Sequence, residues 1–176
     1  QIFKALEKDC FKDMFLIAVG NTEWANLKWT DASIATKKSI INSADIVFTS
    51  AETVEAFAKS KKRLTDQGVN DLLLDCSDAH GFSNSSYKDR IGKCFTWIKA
   101  DPTFDGLKQV IIEPEYRVFI GEKPPLLDRV ANNRTKYISE LSLSQIEAYD
   151  QRHGEWFKDV KIPLNGELVA IIGNKG

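Results

Sequence analysis

Asp71-Leu72-Leu73-Leu74-Asp75-Cys76-Ser77-Asp78-Ala79-His80 is the stretch that decides the fold. A short apolar run, bounded by polar residues and too brief for a helix, reads as a buried strand over residues 71–76, and its carboxyl end runs straight into Ser77-Asp78-Ala79-His80. Two further apolar runs precede it: residues 14–20 (M-F-L-I-A-V-G) and residues 45–49 (D-I-V-F-T). Between the three lie helical patterns. Asp31 is placed to cap a helix over residues 32–44, in which Ile34, Lys38, Ile41 and Ala44 fall largely on one side. Thr49-Ser50-Ala51-Glu52 reads as a capping box for a second helix that runs to Asp66 and stops near Gly68. Strands alternating with helices predict parallel β/α units, and in such folds binding sites gather where the strands end.

Past Ser77, residues 81–86 read as a loop. Asp101-Pro102 then supplies a cap and a first-turn proline for a helix through Ile111, Glu113-Pro114 closes it, and residues 116–120 (Y-R-V-F-I) return as a strand. Trp97 and Ile98 are expected in the core, with Trp24 and Trp29 as packing anchors. After Gly121-Glu122-Lys123 the character changes. Pro124-Pro125 stiffens an extended connector over 124–136, where a domain boundary is expected. Residues 137–144 and 156–164 alternate apolar and polar, and Asn165-Gly166 is a tight-turn signal leading into an apolar run over 167–172. That run ends in Gly173-Asn174-Lys175-Gly176, the pattern of a strand entering a G-x-x-x-x-G-K-[ST] loop, whose backbone amides cradle phosphate. The loop's own Gly-Lys-Ser/Thr lies beyond these residues, so the chain is expected to be an internal fragment of a longer protein and to bind nucleotide weakly if at all.

With 43% hydrophobic and 28% charged residues in a chain of 176, the composition is that of a globular protein, and the net charge of -1 excludes a global pull toward nucleic acid or acidic membranes. The basic run Lys59, Lys61, Lys62 and Arg63 reads as a solvated helix face. Three widely spaced cysteines, Cys10, Cys76 and Cys94, form no C-x-x-C pair; reduced thiols and a cytoplasmic location are the expectation. No apolar stretch approaches the ~18 residues of a membrane span, so no membrane partner is expected.

Asp78 and His80 are the sharpest chemical pair. Two positions apart on extended chain, their side chains point to one side, where a carboxylate and an imidazole can converge on a divalent metal. The competing reading has Asp78 capping a turn and His80 satisfied by a carbonyl. Glu23, just past the first strand, is either a further carboxylate at the same mouth or a surface residue. Lys99 is either a surface charge or a phosphate contact there. His153, in a polar run, reads as a surface turn residue.

Ser77-Asp78-Ala79-His80 followed by Arg90-Ile91-Gly92 resembles the last metal-binding motif of the PHP (polymerase and histidinol phosphatase) domain, and the residues from Thr96 to Gln109 and from Glu113 to Val118 resemble the segment that joins such a domain to an ABC/SMC-like ATPase in TrlF-like proteins. The resemblance implies an α/β chain in three parts: the C-terminal half of a PHP-type β/α barrel over 1–123, a connector over 124–136, and over 137–176 the antiparallel start of a P-loop ATPase domain. It implies metal ligation (Mn, Zn or Mg) by Asp78 and His80, and ATP with Mg at Gly173, Asn174, Lys175 and Gly176 in the longer protein. Adenine stacking by Tyr149 or Trp156 follows from the same likeness. The activity implied is ATP hydrolysis coupled to a metal-dependent phosphoesterase or nuclease acting on a phosphate ester, with nucleic acid among the candidate substrates, phage defence or DNA processing as the setting, and a homodimer formed through the ATPase domain. The family's H-x-H motif and middle histidines are absent, so the alternative is a non-catalytic docking or sensor module that regulates an SMC-like ATPase.

Overall fold

The computed structural model describes residues 11, 13–26, 28–30, 32–77, 79, 92, 94–144, 159–167 and 169–170. They form a mixed α/β structure in two compact units, Gln1–Lys123 and Pro124–Gly176. Among the described residues the strands make three small sheets and no closed barrel.

The first unit begins with β1 (Ala18–Val19), a short helix α1 (Asn21–Ala25), α2 (Ile34–Asn42), β2 (Ile46–Thr49), α3 (Val54–Asp66) and β3 (Leu73–Asp75). The three strands pair in parallel in the order β1-β2-β3, with Val19 opposite Val47 and Thr49 opposite Asp75. β2 is buried along most of its length and β3 throughout, as a strand covered on both faces must be. Ile41, Val47 and Leu64 are fully enclosed, and Phe57 and Leu73 almost so, in one cluster joining α2, α3 and the sheet. Each such side chain contributes roughly 1.5–3 kcal/mol by leaving water.

The helix ends differ from the expected ones for identifiable reasons. Thr49 is spent as the last residue of β2, so the cap of α3 falls to Thr53, whose hydroxyl accepts the Ala56 amide at 3.1 Å. Glu52 is an exposed residue ahead of the helix. The far end closes as a Schellman motif: Gly68 takes φ 63°, its amide donates to the Thr65 carbonyl and that of Val69 to Leu64. α2 starts at Ile34 after Ser33, inside the expected bounds; Asp31, the expected cap, lies outside the described residues. Its inward face carries Ile34, Lys37 and Ile41, with Ala44 buried just past its end, so the lysine in the apolar register is Lys37 and not Lys38, which reaches out to the Gln67 carbonyl. The basic residues Lys59, Lys61, Lys62 and Arg63 are exposed along α3, with Lys62 paired to Asp66 one turn on.

Beyond β3, β4 (Thr96–Ile98) pairs antiparallel with β5 (Val118–Ile120); between them lie α4 (Phe104–Ile112) and a single turn, α5 (Pro114–Arg117). Thr103 caps α4 by accepting the Gly106 amide, displacing the expected Asp101-Pro102 cap by two residues. Trp97 and Ile98 are not in the core: on the two-stranded ribbon they are 37% and 44% exposed, while Ile120 is the ribbon residue that packs against the buried cluster, and the Trp97 indole N–H donates to the Gly121 carbonyl. Tyr116, expected to begin the strand, belongs to the α5 turn.

The second unit opens on α6 (Pro125–Asn132), a helix where an extended connector was expected. Pro125 sits in its first turn, where a missing N–H costs nothing. A 3-10 turn (Arg134–Lys136) follows, then β6 (Glu140–Leu143) paired antiparallel with β7 (Val160–Pro163). Asn165 accepts the Glu167 amide in a turn, and Gly166 is needed there because a Cβ would come within 2.5 Å of Val130 Cγ2 on α6.

The reassigned cap is testable. Thr53→Ala should cost about 1 kcal/mol in urea unfolding while Glu52→Ala stays within about 0.5 kcal/mol of the parent; the reverse ranking would restore the Thr49–Glu52 box.

Candidate site at the carboxyl end of the parallel strands

β1, β2 and β3 point the same way, so Gly20, Ser50 and Cys76, the residues that follow them, open at one mouth. Thr49, buried at the end of β2, places its hydroxyl 3.5 Å from the Asn21 side-chain carbonyl at the start of α1. Glu23 is exposed, yet its carboxylate folds back over Gly20, where a Cβ would lie 2.5 Å from Oε2. A carboxylate therefore does stand at the end of β1, braced by the Thr22 hydroxyl at 3.2 Å.

Asp75, the last residue of β3, is 3% exposed. Its Oδ1 accepts the Ala51 amide and its Oδ2 the Phe95 amide, both at 2.8 Å, while its own amide donates to Thr96 Oγ1 at 2.7 Å. A carboxylate can be buried only when its oxygens are met in this way. The next residue, Cys76, donates from both its amide (2.8 Å) and its thiol (3.3 Å) to the Thr49 carbonyl, which prolongs the β2–β3 pairing by one position. Ser77 Oγ then accepts the Ala79 amide at 3.1 Å, turning the chain as it leaves the sheet.

Asp78 and His80 lie outside the described residues, as do His153, Tyr149, Trp156 and the phosphate-loop residues Gly173, Asn174, Lys175 and Gly176. Lys99 is exposed; its amide donates to the Arg117 carbonyl at 2.8 Å. Among the described residues no three His, Cys, Asp or Glu side chains stand close enough to hold a metal ion, and the Asp75 oxygens are already given to amides. The described part of the mouth thus does not by itself fit a metal centre. A groove of about 570 Å³ between α3 and Ile120, floored by Val54 and Phe57, includes none of the mouth residues.

A lysine is also buried in this unit. Lys37 is 2% exposed, its ammonium 4.1 Å from the centre of the Trp29 ring and 5.6 Å from that of Trp24. Trp24, in α1 beside the mouth, is itself fixed by its indole N–H donating to the Phe48 carbonyl at 2.9 Å. Burial, and secondarily the positive charge of Arg63, hold the Lys37 pKa below its usual 10.5, and the ring faces partly offset the loss of water. At the start of α3 the Glu55 carboxyl is held below its ordinary value by its own backbone amide and by the Thr53 hydroxyl.

Two of these residues were missed by sequence reading although signals existed. Asp75 is an acid closing an apolar run, and Lys37 stands at the centre of the 34, 37, 41, 44 register. Comparisons of the chain with protein-family models, with curated proteins and with solved structures each found no match.

Because the native pKa of Lys37 lies below that of the unfolded chain, the unfolded state holds the extra proton between the two values, and stability from this group rises as pH climbs toward 10.5. Lys37→Met removes the group: the stability of the parent relative to the variant should increase across that window in denaturant titrations, and a constant difference would contradict the buried-charge assignment.

Proposed function

We propose that this chain belongs to a metal-dependent phosphoesterase of the PHP type, joined to an ATPase of the ABC/SMC-like class. The observation that supports the reading is the route of β3: the third of three parallel strands ends in the buried Asp75 and leads through Cys76 to Ser77 at the end where β/α proteins build their sites, and the Asp78-Ala79-His80 triplet follows in sequence. Asp78 and His80 would supply a carboxylate and an imidazole to a divalent metal (Mn, Zn or Mg), with the remaining ligands coming from residues other than the described ones. Such an ion lowers the pKa of a bound water and neutralises phosphoryl charge. Glu23, exposed beside Gly20 at the end of β1, would be a further carboxylate there. In the second unit the antiparallel pair β6-β7 and the Asn165 turn lead toward Gly173, Asn174, Lys175 and Gly176, which would meet ATP phosphates in the longer protein.

A second reading, a non-catalytic docking or sensor module for the ATPase, is favoured by one observation: the described residues hold no metal-binding group of three. The two separate in one experiment on the full-length protein. Metal content and hydrolysis of bis(p-nitrophenyl) phosphate with Mn²⁺ are measured for the parent, Asp78→Ala and His80→Ala. The phosphoesterase reading expects each variant to lose metal and roughly 100-fold or more in activity. Unchanged metal in both variants would sink the ligand assignment, and a metal-free, inert parent would leave the docking module.

A further inference from the structure

We draw no further inference here: the strongest candidate, the exposed aromatic pair Trp97 and Phe119 that face each other across the β4-β5 ribbon, is an apolar surface beside which Arg117 is already paired with Glu113, and nothing in the structure shows what covers it.

Discussion

The first unit depends on one buried carboxylate. Asp75 is 3% exposed, and its two carboxylate oxygens accept the backbone amides of Ala51 and Phe95. The loop after β2 and the entry to β4 both converge on it. Leaving either amide unmet beneath the surface would cost roughly 1–3 kcal/mol, and leaving the anion unmet more. The polar centre thus specifies where the loops sit, while the surrounding Val47, Leu64 and Leu73 supply the burial that makes the specification enforceable.

A second polar residue is enclosed by a different device. Lys37 stands against the rings of Trp29 and Trp24, at the centre of what would otherwise be the apolar stripe of α2. Asp75 is met by dipoles aimed at it and Lys37 faces two aromatic rings, while burial, and secondarily the charge of Arg63, hold the lysine pKa below its usual value. The Trp24 side chain joins the two regions, since the same residue that faces Lys37 donates to Phe48 in β2, one position before the mouth residue Thr49.

The candidate mouth and the exposed ribbon β4-β5 show opposite treatments of a short strand. β3 is covered on both faces and ends in a carboxyl group whose oxygens accept two backbone amides. Among the described residues β4 and β5 pair with each other alone, and Trp97, Ile98 and Phe119 keep a third or more of their surface open. A three-residue strand is legible as a strand in both cases, and only the neighbours decide whether its side chains are core.

Periodicity in the sequence was enough to locate the parallel strand runs, the helices between them, the Gly68 stop and the antiparallel segments after residue 137, because those patterns are local: an apolar run, a 3.6-residue stripe and a left-handed glycine each act within a few residues. The cap of α3, the inward lysine of α2, the exposure of Trp97 and the helix at Pro125 were settled by tertiary structure. Thr49 and Thr53 are equally good caps by composition, and pairing with Asp75 removes the first from contention. The polar run after Pro125 forms a helix that lies against Gly166, a residue some forty positions away. The role of Asp75 was beyond sequence for the same reason: its partners, Ala51 and Phe95, are 24 and 20 residues distant, and only the folded chain brings their amides to one carboxylate.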